Sequence, residues 1–502
     1  MNLDTLRARA QSFSEAVARE GYLAYSGHKA TAALQPIYAA YADVLGDEAF
    51  ALCVDHFRGT AAGSEARRAA RMMLEWQVES QVSRAMASLD EREIALEHGA
   101  VVRPGDGREV PYSRVSIDIA NTSDRRERLA LDDARARLVA SDFSPLRLER
   151  LQSERDAVEA LGLADGYNAT FSLLSGVPLA DLATECTAFL RDTDAMWSEV
   201  LDEWLRGFGV PRGEAMRADA LALFRVREYD DAFPADRMEA TIRRNCTEMQ
   251  IDATAGGHIN FDLGDRPGKR SRAFCSPVQV PQEVYLVLRP HGGQSDWGTF
   301  LHELGHALHF GYARADYPFE YRWLGDNSVT EAYAMLFDHR LQDRNWLLRY
   351  TGLGKSRVGA YLRFSAFEEL HYLRRYCAKL LYEMAVYGGD VPWGSLPDLY
   401  ATMLTDATGF RYRPTDAFMD LDPRYYSTRY LRAWQLQALL DASLTERFDE
   451  DWWRNPAVGP WIVEQLFAEG QRETADELAR RVAGTPIGFA PLQRRVESLL
   501  AA

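Results

Sequence analysis

From the N-terminus to about Val210, apolar residues recur at three- and four-residue spacing, the period of a helix with one buried face. The longest such runs are Leu6 to Leu23, Ala66 to Leu89 and Leu179 to Phe208, and each predicts helix. Glycine and proline break the pattern at Gly105 to Pro111 and at Gly207 to Gly213, where the chain must turn. Overlapping the first break, REVPYSRVSIDI (108–119) alternates apolar and polar residues and predicts a short strand or hairpin.

From about Arg217 the pattern is mixed. The stretch from Gly256 to Gly293 is rich in Gly and Pro and holds one clear strand, EVYLVLRP, in which Val284, Leu286 and Leu288 alternate with Tyr285, Val287 and Arg289. Helical spacing resumes at Asp296 and runs to Ala502, broken at GLGK, YGGDVPWG and FRYRPTD. The expected fold is mainly α with a small sheet near its middle, divided into an N-terminal helical lobe (1–215) and a second lobe (216–502).

Composition narrows the function. The 502 residues are 47% hydrophobic, ample for a large core. The net charge of −16, from 74 acids against 58 bases, suits neither nucleic acid nor an anionic membrane as a partner. No run approaches the roughly 20 apolar residues that span a bilayer, and the first residues do not form a secretory signal. The five cysteines are scattered without a paired spacing. The expectation is a cytoplasmic protein, with its oligomeric state open.

The chemistry centres on residues 302–306, His-Glu-Leu-Gly-His. Trp297, Leu301, Leu304 and Leu308 form one apolar stripe around it, so the motif lies on a helix, capped by Ser295 or Asp296. His302 and His306 are then one turn apart, roughly 6 Å along the axis. Two imidazoles at that spacing can share one Zn²⁺, and Glu303 between them can serve as general base toward a water at the metal. The mid-helix Gly305 costs about 1 kcal/mol relative to Ala, so something must require it.

A zinc site needs a third protein ligand. His309 is seven residues past His302, about 10 Å along the axis, too far to share the ion comfortably. It is read as a cleft or packing residue. Glu331, twenty-five residues after His306 in NSVTEAYAMLFDHRL, can return on a second helix to the same metal. Ser328-x-x-Glu331 also reads as a capping box, which would account for the glutamate without any metal. Asp338, seven residues on, can support a ligand histidine or simply be a solvated charge.

GKRSRAFCSPV, a strand, DWGTFLHELGHALH and a Glu in VTEAYAML together resemble the oligoendopeptidase F and thimet oligopeptidase family of zinc peptidases. The resemblance runs from about Phe261 to Arg340 and, more weakly, from Ala417 to Leu440. It implies one Zn²⁺ per chain on His302, His306 and Glu331, with Glu303 as general base. It also implies a helical two-lobed clam-shell with a deep channel for short peptides. In such enzymes the strand before the metal helix pairs with extended substrate, which places Tyr285 and Val287 beside it, with His291 in the turn that follows. DPRYYSTRYLRAW supplies Tyr425 or Tyr426 as oxyanion donor, with Tyr430 a turn later as a substrate contact, and its RYY resembles the RYF stretch of angiotensin-converting enzyme, which favours Tyr425. The family's late histidine has no counterpart, because none follows His371.

Three functional readings follow. The first is a zinc metallo-oligopeptidase. The second is a C-terminal-trimming carboxypeptidase or dipeptidyl carboxypeptidase, in which Arg411 and Arg413 would clamp a terminal carboxylate. The third is a peptide-binding protein that keeps its zinc but has lost turnover. Gly354-Lys355-Ser356 is not a phosphate loop, because the glycine required upstream is Arg349.

Overall fold

The computed structural model describes residues 1–105 and 107–501. Along the chain, helices α1 (Leu3–Tyr25) and α2 (Glu65–Gly99) precede a short antiparallel ladder of β1 (Val101–Val102) with β2 (Val110–Pro111). Next come α3 (Tyr112–Asn121), α4 (Arg125–Leu138), α5 (Ser144–Ala160) and α6 (Arg217–Leu223). Three strands follow: β3 (Ile259–Asp262), β4 (Phe274–Gln279) and β5 (Glu283–Val287). Then come α7 (Gln294–Tyr312), α8 (Asn327–Asp338), α9 (Lys355–Gly388), α10 (Leu396–Thr408), α11 (Tyr426–Arg447) and α12 (Ala475–Ala483), with other helices between these. The protein is mainly α, as its periodicity predicts.

The chain forms two compact units. Unit 1 comprises residues 1–78, 228–365 and 429–502, and unit 2 comprises 79–227 and 366–428. This differs from a division at residue 215: the first 78 residues fold with the metal-motif region, and 366–428 fold with the earlier helices. The reason is local in unit 1. Tyr22 of α1, Val278 of β4 and Val287 of β5 share one buried cluster, a long-range contact that no local period encodes.

REVPYSRVSIDI is mostly helix. Only Val110 and Pro111 are in a strand, and Tyr112–Asn121 is α3. Val115 and Ile119, four apart, are buried, while Ile117 between them is 58% exposed. The four-residue spacing therefore decided the conformation, and the alternation was incidental.

In unit 1, β5 is the middle strand of the order β3-β5-β4, parallel to β3 and antiparallel to β4. EVYLVLRP thus has neighbours on both sides, and the expectation that it offers a free edge to substrate is corrected. The strand reads as an edge candidate because nothing in its own sequence reveals the pairing of β3 with it. The edge near the metal motif belongs to β4, which carries Pro277, a residue tolerated in edge strands because it has no N–H to donate.

Candidate metal centre

Helix α7 begins just after Gly293, whose φ of 91° no residue with a side chain adopts readily. A Cβ at Gly293 would also lie 2.8 Å from Asp230 Oδ1, the atom that accepts the Gln294 N–H at 3.2 Å. Asp296 accepts from His291 and Gly292 N–H at 2.6 and 2.9 Å, so it ties the preceding turn rather than capping the helix. Trp297, Leu301, Leu304 and Leu308 are buried and anchor α7. His302 and His306 are left partly exposed on another face.

Helix α8 crosses α7 at the motif. Its N-cap is Asp326, which accepts the Ser328 N–H at 3.0 Å. The capping-box explanation for Glu331 therefore falls away, because Ser328 lies inside the helix. Gly305 permits the crossing: a Cβ there would come within 2.5 Å of Ala334 Cα and 2.6 Å of the Tyr333 carbonyl oxygen. Gly305→Ala is accordingly expected to cost about 1–3 kcal/mol by overpacking. Because the clash separates the two ligand-bearing helices, metal affinity should fall with it. Denaturant unfolding and metal titration check this together, and unchanged values for both would refute it.

Among the described residues, one group of three His, Cys, Asp or Glu side chains has ligand atoms converging within 4.8 Å: His302, His306 and Glu331. Glu331 Oε2 lies 3.4 Å from His302 Nε2 and 3.6 Å from His306 Nε2. Two donors about 2.1 Å from a tetrahedral ion stand about 3.4 Å apart, so the set fits a small divalent cation. Both imidazoles are held from behind. His302 Nδ1 bonds to Asp338 Oδ2 at 2.8 Å, and His306 Nδ1 bonds to Thr330 Oγ1 at 2.9 Å. Each histidine thereby turns Nε2 toward the shared point. Asp338 also bonds His339 Nδ1 through its other oxygen.

The electrostatics favour a cation here. Burial alone would lower the His302 pKa, but hydrogen bonds to Asp338 and Glu331 outweigh it and hold the imidazolium up to about 10. Burial alone would raise the Glu331 carboxyl. The two neighbouring imidazoles of His302 and His306 reverse that and hold it well below the usual carboxylate range. Asp338 is likewise lowered against its burial, chiefly by His339 and His302. A buried carboxylate, Glu331, and a half-buried one, Asp338, therefore remain charged around two imidazoles. Asp338→Ala is expected to weaken metal binding by about 10–100-fold, the usual effect of losing such a support. A competition titration with a chelating dye measures it, and wild-type affinity would show that Asp338 does not serve the site.

Glu303 lies on the adjoining face of α7, and its Oε2 accepts the Cys275 backbone N–H of β4 at 2.7 Å. The motif carboxylate is thus tethered to the edge strand, a contact that sequence spacing could not reveal. Thr330 was also missed, although its position next to Glu331 on the same helix was a usable signal.

The remaining candidates are distributed as follows. Val287 is buried, and Tyr285 stacks on Tyr22 with ring centres 3.8 Å apart. His291 is exposed in the turn before α7. His309 is 0% exposed and packs against Tyr333 and Phe467; burial holds it neutral by pushing its pKa down to about 3. Tyr430, in unit 1, is half-buried with its ring 6.4 Å from Trp434. Tyr425, Tyr426, Arg411 and Arg413 belong to unit 2. Tyr425 is buried and donates its hydroxyl to Asn168, whereas Tyr426 is exposed. Arg424 and Tyr425 both adopt a φ of 58°, a strained backbone of the kind that clusters at functional sites. Arg413 is paired with Asp132 and Asp133 at 2.8 and 2.6 Å, and Arg411 is exposed.

No family model and no curated protein sequence matches the chain. Solved structures do. A protein assigned as an oligoendopeptidase F superposes with a TM-score of 0.67 at 14% identity, covering 99% of this chain and 96% of that one. The chain has the fold of that oligoendopeptidase F. A protein from Chlamydophila abortus assigned as a peptidase gives a TM-score of 0.69 at 13% identity, covering 99% and 90%. A Pyrococcus furiosus carboxypeptidase gives 0.61 at 13% identity, covering 99% of each chain. The fold is thus shared by proteins named for internal cleavage and by one named for trimming ends. Among the described residues, no single helix is long and apolar enough to cross a membrane.

Proposed function

We propose that the protein is a zinc metallopeptidase that hydrolyses short peptides. The observation that carries this reading is the convergence of His302, His306 and Glu331, with Glu303 alongside. His302, His306 and Glu331 would hold the ion. A divalent cation there supplies Lewis acidity, which polarises a carbonyl and makes water a nucleophile near neutral pH.

The chain's own groups account for the proton traffic. Glu303 is not one of the three converging ligands, so its carboxylate can take a proton from the attacking water and return it to the leaving amine. Asp338 and Thr330 keep the two imidazoles in the orientation that presents Nε2. The outer side of β4 offers carbonyl groups to an extended peptide, since its Cys275 N–H is taken by Glu303 and Pro277 has none. Tyr430, which lies in unit 1 with the metal cluster and keeps solvent access, is the hydroxyl this reading assigns to the developing oxyanion. Tyr425, whose hydroxyl is given to Asn168, is not.

A second reading, carboxypeptidase trimming, is favoured by the fold shared with the Pyrococcus carboxypeptidase. The arginine clamp finds less support, since Arg413 already has two carboxylate partners. One experiment separates the readings. A pool of short peptides, each as free acid and as C-terminal amide, is digested by the zinc-loaded protein and read by mass spectrometry. Internal cuts in both forms support the oligopeptidase. Cleavage confined to the free acids, one or two residues from the end, supports trimming. No cleavage of any peptide by protein with one zinc bound refutes both and leaves the peptide-binding reading.

A further inference from the structure

Unit 2 contains a cavity of about 320 Å³ that the metal chemistry of unit 1 does not use. Most charges around it are already matched. Arg135 of α4 grips Asp416 through two bonds of 2.8 Å and gives its Nε to Asp132 at 3.0 Å. Asp420 accepts the Tyr400 hydroxyl at 2.8 Å and is paired with Arg375. Arg147 of α5 is paired with Glu93.

Arg217 of α6 is the exception. It lines the cavity half-buried, and among the described residues its guanidinium has no hydrogen bond and no carboxylate at ion-pair distance. Its backbone is held in place, since its N–H donates to the Arg411 carbonyl at 3.0 Å. Glu97 at the end of α2 also lines the cavity, is exposed, and likewise has no ion pair among the described residues. Ser113 and Ser116, exposed on α3, complete an open polar side.

Asp416 and Asp420 act on Arg217 only from beyond ion-pair distance. A guanidinium fork with no acid in direct contact can receive a planar carboxylate, and a nearby carboxylate with no ion pair can receive an ammonium group. We propose that this cavity binds a free α-amino acid, with its carboxylate on Arg217 and its ammonium toward Glu97. The volume is near the lower end of small-molecule pockets, and the polar lining suits a compact zwitterion over an apolar ligand. The assignment does not depend on the peptidase reading, because every residue it uses lies in unit 2.

The test is calorimetric titration of the full chain with each of the twenty L-amino acids to millimolar concentration, with acetate and inorganic phosphate as controls. At least one amino acid is expected to bind saturably, and its amide and N-acetyl forms should each bind at least about tenfold more weakly. Arg217→Gln should weaken binding by at least about tenfold. Ser116→Trp, which blocks the open side from an exposed position, should abolish it without unfolding the chain. His306→Ala, which disrupts the metal cluster, should leave it intact. Absence of binding by all twenty, or tighter binding of acetate or phosphate, overturns the proposal. So does binding that survives Arg217→Gln and Ser116→Trp but is lost in His306→Ala.

Discussion

Replacing Glu303 with alanine is expected to lower peptide turnover by about 10²–10⁴-fold, the usual contribution of a positioned general base, while bound zinc stays at one per chain. The two halves of this expectation come from separate observations. His302, His306 and Glu331 converge without Glu303, so the metal should remain. The carboxylate of Glu303 is anchored at 2.7 Å to the Cys275 N–H, beside the ligands but directed to the edge strand. Initial rates on a quenched fluorescent peptide, with metal content by atomic absorption on the same sample, measure both. Undiminished cleavage would mean that another centre does the work. Loss of zinc along with activity would make Glu303 part of the site's assembly rather than its base.

The largest effect on stability is expected at Asp326. This buried carboxylate takes four groups: the Ser328 N–H and Arg429 at 3.0 Å each, the Ala475 N–H at 3.0 Å, and Arg432 at 3.9 Å. It thereby joins the start of α8 to α11 and α12. Asp326→Ala takes one of two carboxylate partners from each of two nearly buried guanidinium groups, Arg429 keeping Glu75 and Arg432 keeping Asp476, and removes an N-cap, at a cost of about 2–4 kcal/mol. A destabilisation below about 1 kcal/mol in urea unfolding would refute this account. The same site carries a pH signature. Burial opposes the charge, but Arg429 and Arg432 outweigh it and hold the Asp326 carboxyl well below the carboxylate range. Its stabilisation is therefore complete above the unfolded value of about 3.9 and is lost as pH falls from there toward the lower folded value. Asp326→Asn, which keeps the size and a cap acceptor, should be less stable at neutral pH and lose less on acidification.

The parts of this molecule that could be read in advance are those written at short range. The four-residue step from His302 to His306 makes one helical turn, and the apolar stripe around them orients the helix whatever packs against it. The helical segments of α1 and α2 emerge for the same reason. Features made by distant segments could not be read. The presence of strand Glu283–Val287 is local, but its place between β3 and β4 depends on pairing with residues 259–262. The cost of Gly305 was visible in the sequence, but its reason is a carbonyl and a Cα on α8. Ser328 and Glu331 match a capping box, yet Asp326 two residues earlier takes the cap because it also finds Arg429 across the fold. His309 lies three residues past His306 and is nonetheless core, because Tyr333 and Phe467 close over it.

Pro277 bears on how the protein behaves at high concentration. A sheet with an open edge invites the same edge of another molecule, and pairing of that kind begins many aggregates. Here the outer side of β4 presents the Cys275 N–H, already taken by Glu303, followed two residues later by a proline with no N–H, and then by a break in register between Pro277 and Gln279. A long strand from a second copy would find no continuous ladder to extend. The irregularity of this strand therefore denies self-association a continuous template.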